Sequence, residues 1–169
     1  MQVPPPCEFE ADKLLIKLDE VVSSDVEMID SVVSKIVNLI EDRQCWSDVE
    51  NIDLALREAL ANAIIHGSKR DLTKHVRVCV ALAEDCSALI VVKDAGSGFD
   101  PKDLPNPVVG QNLLSSYGRG IFLINRLMDD VRFAFERGTA IYMRRSASHL
   151  GQRGSDQPER QKRESRDKE

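Results

Sequence analysis

Two strongly apolar runs near the middle of the chain constrain its fold more than any other feature. VRVCVALA (76–83) and ALIVVKD (88–94) are typical of β-strands, and only the polar segment EDCS separates them. A connection this short joins neighbouring antiparallel strands. A second pair of the same kind, VRFAFE (131–136) and TAIYMRR (139–145), turns at Arg137-Gly138. These two pairs of apolar runs therefore predict an antiparallel sheet built from β-hairpins.

Helical periodicity precedes and interrupts these strands. Apolar residues from Val26 to Ile40 recur at helical spacing and predict an amphipathic helix over about 25–43, opened by a Ser24/Glu27 capping box. A second helix stops at Gly67, a third begins near Gly118, and the alternating residues of 8–19 predict one more strand. These elements predict an α+β fold, a two-layer α/β sandwich with a mixed, mostly antiparallel five-stranded sheet and three helices on one face.

Charge and cysteine content exclude several functional classes. The 169 residues carry a net charge of −5, whereas a nucleic-acid-binding surface needs clustered Lys and Arg. No apolar run approaches the roughly 18 residues of a membrane span, and no signal peptide is expected. The four cysteines form no C-x-x-C pair, which argues against zinc. We therefore expect no nucleic-acid or membrane partner, a reducing, cytoplasmic location, and cysteines that act as small apolar residues.

A row of polar side chains runs along the second predicted helix. Glu58, Asn62 and His66 are each four residues apart in EALANAIIHG, so they share one face at the border of the apolar arc. Such a row is most often a solvated helix edge, and it gains meaning only from what lies downstream. His66 is interpreted as a residue at the edge of the core and not as a catalytic group.

The first downstream feature is an aspartate followed by two glycines. Asp94 ends an apolar strand, and Gly96 and Gly98 follow it. A carboxylate at this position can accept a hydrogen bond from an exocyclic amine, and the glycines let a ligand approach the backbone. Alone, this pattern is also that of a plain turn.

Two further glycine segments follow. Gly118 and Gly120 open the third helix, and N–H groups at a helix N-terminus suit phosphate. Gly138-Thr139 opens the last strand. The segment 95–118 is rich in Gly, Pro, Asn and Ser, and a loop of this length is typical of lids and binding loops.

Taken in order, these segments resemble the nucleotide-binding boxes of the GHKL ATPases, the family of gyrase, Hsp90, histidine kinases and MutL. EALANAIIHG is similar to the N box, DAGSG to the first glycine box, GRG to the second and GT to the third. The resemblance is nearest to the stand-alone bacterial anti-sigma factor serine/threonine kinases, through ALREALANAIIHG and GRGIFLINRLMDDV. It implies a histidine-kinase-like ATPase domain of the Bergerat ATP-binding fold over residues 8–145.

The chain ends are expected to lie outside this domain. Residues 1–7 are interpreted as a loose leader. Residues 146–169 contain eleven charged residues and only two aliphatic side chains, so they are predicted to be a disordered charged tail.

The resemblance implies a role for each polar residue. Asn62 would ligate Mg²⁺ that bridges the ATP phosphates, and Glu58 would be the general base toward the attacking hydroxyl. Asp94 would hold the adenine amine, with Thr139 assisting through water. Mg²⁺ prefers hard oxygen ligands, which fits this set of side chains.

The resemblance also implies a role for the glycines. Gly96 and Gly98 would let adenine and ribose approach, and Gly118 and Gly120 would wrap the phosphates under a lid over about 100–117. Members of this branch often carry a basic residue two or three positions before the second glycine box, where this chain has Ser115 and Ser116. Arg119 would have to substitute for it, or phosphotransfer would be slow.

The function implied by the resemblance is that of an ATP- and Mg²⁺-dependent serine/threonine protein kinase. It would bind a sigma factor and phosphorylate a STAS-domain anti-sigma antagonist in a partner-switching circuit, and a homodimer is left open. The alternative is a catalytically weak or inactive ATP-binding interaction module that regulates a partner by sequestration. The ATPase half of a two-component histidine kinase is disfavoured, because no two-helix segment with a phosphoacceptor histidine is expected ahead of the first helix.

Overall fold

The computed structural model describes residues 14–46, 48–96, 116–135 and 138–146. The predicted leader, most of the long loop with Gly98, and nearly all of the predicted tail lie outside these ranges, so those predictions stay untested.

The described strands form one five-stranded sheet. Its strands lie in the order β1-β2-β3-β5-β4, and every neighbouring pair is antiparallel. The bounds are β1 Leu14–Ser23, β2 His75–Ala83, β3 Ala88–Asp94, β4 Asp130–Phe135 and β5 Thr139–Arg145. The predicted α+β sandwich is confirmed, although the described sheet is wholly antiparallel and has no mixed part.

The alternation of side chains along β2 decides which face of the sheet is covered. Val76, Val78 and Val80 are completely buried, whereas Arg77 between them is exposed. Residues of one parity therefore face the helical layer, since successive side chains of a strand point to opposite faces. The aliphatic core lies between the sheet and this layer.

The first helix, α1 (Met28–Glu41), buries Val33, Ile36 and Ile40 against this core. The predicted Ser24/Glu27 capping box does not form. Instead, the backbone N–H of Glu27 donates to the Asp25 carboxylate at 3.1 Å. The Ser24 N–H donates to the carbonyl of Lys74 at 3.1 Å, which holds Ser24 beside the sheet with its hydroxyl buried.

The second helix is an α-helix that changes geometry before it ends. α2 spans Val49–Ala61, and a π-helical turn continues it over Asn62–Gly67. The N–H of Ser68 donates to the carbonyl of Ala63 at 2.8 Å, five residues earlier. The sequence predicted one uninterrupted helix here, and the wider last turn is a feature that it did not predict.

The third helix, α3 (Ser116–Leu127), packs on α2 and begins two residues before the predicted start at Gly118. Its buried side chains include Ile121 and Ile124. Among the described helices, none combines the length and hydropathy that a bilayer crossing needs.

The end of the sandwich at the start of α2 is tied together by several contacts. Cys45 and Cys86 form a disulfide between the α1–α2 loop and the β2–β3 turn. The indole N–H of Trp46 donates to the Ser146 carbonyl at 3.0 Å, and Arg145 pairs with Asp48. The expectation that all cysteines act as small apolar residues is therefore wrong for this pair, because the fold brings together two loops that the sequence keeps apart.

Candidate functional site

Asp94 lies at the end of β3 and is enclosed by three glycines. Its side chain is buried, with 3% of its surface exposed. A Cβ added to Gly67 would lie 2.2 Å from Asp94 Oδ2, and one added to Gly138 would lie 2.2 Å from the Asp94 carbonyl. A Cβ on Gly96 would lie 2.2 Å from the carbonyl of Gly67. Only glycine fits at these three positions, so the backbone closes tightly around one carboxylate.

The buried carboxylate of Asp94 is contacted by its immediate neighbours Gly96 and Thr139. The N–H of Gly96 donates to Asp94 Oδ1 at 2.7 Å. Burial raises the pKa of Asp94 above its ordinary value, and the Gly96 amide, the neighbouring Thr139 and the charge of Lys74 oppose that rise. Thr139 Oγ1 is buried without a hydrogen bond of normal geometry. Burial outweighs these contacts, so a further donor from a ligand would stabilise the carboxylate.

A cleft opens beside Asp94 between the π-helical turn and strands β3 and β5. Its polar and glycine lining consists of Asn62, His66, Gly67, Asp94 and Thr139, and its apolar lining of Ala63, Val92 and Ile141. The π-helical turn contributes Asn62, Ala63, His66 and Gly67 to this lining. His66 and Gly67 thus line the same cleft as Asn62, and His66 is exposed at its edge.

Glu58 and Asn62 converge on the backbone of α3. A Cβ added to Gly120 would lie 2.7 Å from Glu58 Oε2 and 3.2 Å from Asn62 Nδ2. Glu58 is partly exposed, whereas Asn62 is buried with 7% of its surface exposed. The polar row of α2 therefore faces the N-terminal half of α3, and the absence of a side chain at Gly120 leaves the room between them.

The side chains of the described cleft have the chemistry that a nucleotide and its metal ion would need, namely a buried carboxylate, a buried amide and a hydroxyl. The Nδ2 atom of buried Asn62 has no hydrogen-bond partner, which is uncommon for a buried amide and suggests that a ligand supplies one. The described residues contain no group of three or more His, Cys, Asp or Glu side chains that could hold a metal ion. If Mg²⁺ binds here, the amide oxygen of Asn62 would be its protein ligand, because this ion takes oxygen ligands and substrate phosphates supply others.

The structure gathers most of the predicted site residues. Asn62, Asp94 and Thr139 share one cleft, with Gly96 beside Asp94, and Glu58 and Gly120 meet next to Asn62. Gly118 lies in the first turn of α3.

Two predicted residues are not brought into the cleft. The described side chain of Arg119 is exposed on α3, so its assignment to the phosphates stays a prediction. Gly98 lies outside the described residues.

Gly67 is a site residue that sequence reasoning missed. It was read as a helix stop, yet its missing side chain makes the room for Asp94. The available signal was a glycine directly after the polar row. Its contact with Asp94, however, arises only when β3 packs beside the π-helical turn.

The chain matches the model of the "Histidine kinase-like ATPase domain" family over residues 22–145. It is also similar to the serine-protein kinase RsbW of Bacillus licheniformis, at 35% identity over 106 residues, covering 58% of this chain and 64% of that protein. The serine-protein kinase RsbW of Bacillus cereus (strain AH187) is 32% identical over 107 residues, with the same coverage. The chain thus spans less than two thirds of the length of these relatives.

Solved structures with the same fold include the RsbU and RsbW domains of Rv1364c from Mycobacterium tuberculosis. That structure gives a TM-score of 0.58 at 18% identity, covering 78% of this chain and 32% of that one. The mycobacterial sensor histidine kinase MprB gives a TM-score of 0.50 at 18% identity, covering 77% and 98% of the two chains. At these identities the likeness shows the fold alone.

The family match includes all the predicted boxes and every described element except most of β1. The resemblance inferred from the sequence is therefore confirmed. By this match and by the cleft between the π-helical turn and the sheet, the chain belongs to the histidine kinase-like ATPase domain family.

Proposed function

We propose that the protein is an ATP-dependent serine/threonine protein kinase and anti-sigma factor that phosphorylates a STAS-domain antagonist. The observation that carries this proposal is the convergence of Glu58 and Asn62 on Gly120, next to the cleft that contains Asp94. One helix thus supplies a carboxylate for proton transfer and an amide for the metal ion. Relatives that are named serine-protein kinases support the same reading.

The adenine end of the nucleotide would bind at Asp94. The carboxylate accepts a hydrogen bond from the exocyclic amine, with Thr139 assisting through water and Gly96 and Gly98 admitting the base and ribose. Guanine presents a carbonyl where adenine has this amine, so ATP is preferred over GTP. Leaving the Asp94 carboxylate unpaired would cost about 1–3 kcal/mol.

The phosphates would extend toward the N-terminal half of α3. There Gly118 and Gly120 leave room, helical N–H groups favour negative charge, and Arg119 is the nearby cation. Mg²⁺, with Asn62 as its protein ligand, would neutralise phosphate charge. Catalysis of phosphoryl transfer consists mostly of such positioning and charge neutralisation.

Glu58 would act on the attacking hydroxyl. As the serine or threonine oxygen bonds to the γ-phosphorus, the bond to the bridging oxygen breaks and its electron pair leaves with ADP. Glu58 accepts the hydroxyl proton, a contribution that is typically worth about 10²–10⁴ in rate. Because Glu58 is partly exposed, a protein substrate can reach it.

The partners follow from the same reading. We propose a cytoplasmic protein that binds a sigma factor and a STAS-domain antagonist in turn, with a homodimer as the state to examine first. Nucleic acid and membranes are not proposed as partners, since the chain is acidic, with a net charge of −5.

One sequence feature favours a second function, that of an ATP-binding module without transfer. Ser115 and Ser116 stand where a basic residue is common in this branch, and Arg119 is exposed. A protein of this kind would bind nucleotide and regulate its partner by sequestration. Transfer by the wild-type protein decides between the two functions.

The test is radiolabel transfer from ATP to a co-purified STAS-domain protein. Glu58→Gln keeps the size of the side chain and removes its charge, so it should bind ATP normally and lose most of the transfer, because a base acts in the transition state. Glu50→Gln makes the same chemical change in the first turn of α2, remote from Asn62, and should transfer normally. If Glu58→Gln transfers as well as wild type, Glu58 is not the base. If wild type transfers nothing, the binding module is the better reading.

A further inference from the structure

The Cys45–Cys86 pair lies at the end of α2 opposite the cleft. The two residues are 41 apart in sequence, with Cα atoms 5.5 Å apart, a separation typical of disulfides. Cys45 belongs to the loop before α2 and is 9% exposed, whereas Cys86 is partly exposed in the β2–β3 turn. Cys86 is thus the more exposed residue of the pair.

We propose that Cys45 and Cys86 form a reversible redox site, oxidised by exchange with a small-molecule disulfide. In a reducing compartment a disulfide does not persist as a permanent staple, and those that do form are usually transient or sense oxidants. The reversibility of the disulfide rests on the cytoplasmic location, which is part of the proposed function. The juxtaposition of the two sulfurs does not depend on that location.

The exchange proceeds in two steps. The thiolate of Cys86, the more exposed residue, attacks one sulfur of the small disulfide, whose S–S bond breaks and releases a thiolate with the electron pair. The thiolate of Cys45 then attacks the Cys86 sulfur and releases the second small thiolate. Two protein thiols are oxidised, one small disulfide is reduced to two thiols, and the protons of the protein thiols pass to the released thiolates.

The bond acts on a loop that other contacts already restrain. Trp46 donates to the Ser146 carbonyl, and Asp48 pairs with Arg145, so the same loop also holds the end of β5. The disulfide adds a covalent link from this loop to the β2–β3 turn. Oxidation therefore fixes the start of α2 against the sheet, and reduction leaves it to non-covalent contacts.

The nucleotide cleft is remote from this link. The thirteen residues of α2 separate the loop from Asn62, which is about 20 Å along a helix. The disulfide is expected to change the stability of the domain and not its affinity for nucleotide. Closing a loop of this size should raise the melting temperature on the order of 10 °C.

The experiment counts thiols in the full-length protein after incubation with oxidised or reduced glutathione. The chain has four cysteines, so alkylation and intact mass should find four thiols in the reduced protein and two in the oxidised protein. Cys45→Ser and Cys86→Ser should each abolish the loss of two thiols. Cys79→Ser is the matched control, since the Cys79 thiol donates to Asp19 from the opposite face of β2, and this variant should still form the bond.

The melting temperature and ATP binding of both wild-type forms complete the test and need no variant that folds poorly. A reversible thiol loss that raises the melting temperature and leaves ATP binding unchanged supports the proposal. It is overturned if both thiols persist in excess oxidised glutathione. It is also overturned if only mixed disulfides with glutathione form, or if reduced glutathione cannot reopen the bond. None of these outcomes depends on phosphotransfer, so failure of the kinase proposal would be seen separately.

Discussion

Replacing Gly120 by alanine should separate folding from phosphotransfer. The new Cβ would lie 2.7 Å from Glu58 Oε2, which is about 0.8 Å short of an ordinary contact of roughly 3.5 Å. The atom in the way is the end of a flexible, partly exposed side chain, so Glu58 can rotate aside without loss of buried surface. The same Cβ would lie 3.2 Å from Nδ2 of buried Asn62, so a small adjustment falls there and the larger displacement falls on the proposed general base.

The effect on stability should be small or favourable. Gly120 is the fifth of the twelve residues of α3, and alanine in a helix interior is favoured over glycine by about 0.8–1.0 kcal/mol. Moving the Glu58 carboxylate offsets part of that gain. We expect the free energy of unfolding to rise by about 0–1 kcal/mol, which corresponds to a melting temperature up to about 4 °C higher for a chain of this size.

The effect on transfer should be large. A misplacement of about 1 Å at a reacting group can lower the rate about 100-fold. Thermal melts and radiolabel transfer to the proposed STAS-domain substrate should be measured together. Asn125→Ala is the control, because it gives α3 a similar gain in helix propensity at an exposed position, and it should transfer normally. A Gly120→Ala protein that melts several degrees lower but transfers at the wild-type rate would refute this geometry.

The remaining predictions concern the cleft. Asn62→Ala should keep the fold, since it removes an amide nitrogen that has no hydrogen-bond partner. Calorimetry should show Mg·ATP binding that is weaker by about 1–3 kcal/mol. If the variant does not fold, Asn62 has a structural role instead. Because the pKa of Asp94 is raised in the fold, this group stabilises the ligand-free protein most below its unfolded pKa, and that contribution is lost as pH rises through the folded pKa. Asp94→Asn should therefore have a higher melting temperature than wild type at pH 7, and this difference in melting temperature should shrink toward pH 4. The variant should also bind ATP more weakly. A difference in melting temperature that does not change with pH would contradict a raised pKa of Asp94. Gly67→Ala should lower the free energy of unfolding in denaturant by about 1–3 kcal/mol and weaken ATP binding, because its Cβ would lie 2.2 Å from Asp94 Oδ2. A variant as stable as wild type would show that this close contact is absent.

Short-range patterns predicted most of the sheet. The observed bounds of β3 and β5 equal the predicted 88–94 and 139–145, because apolar runs with short polar turns leave one pairing. The wide end of α2 was not predictable in this way, since the apolar spacing of an α-helix continues through Asn62–Gly67. The Ser24 capping box failed because the sheet binds the Ser24 backbone and Asp25 takes over at the helix start.

The sequence predicted which residues form the candidate site, but it predicted only some of the contacts between them. Glu58, Asn62 and Asp94 were selected through the resemblance to the family's boxes, because a polar row on a helix or an aspartate before two glycines is by itself also a helix edge or a turn. The contact of Gly67 with Asp94 and the pairing of Cys45 with Cys86 join segments that are distant in sequence. Such contacts depend on how the two layers pack, and no local pattern specifies that packing.

The three glycines around Asp94 also limit how the preference for a base can change. Glutamate or glutamine at position 94 would need space that Gly67 and Gly96 do not leave. Asparagine has nearly the same shape as aspartate and presents a donor in addition to an acceptor, so it can face a carbonyl such as that of guanine. A mutational library at position 94 should therefore yield folded, nucleotide-binding proteins with few residues other than aspartate and asparagine. On the proposed role of Asp94, the choice of base is restricted by the space between the glycines before it is decided by hydrogen bonding.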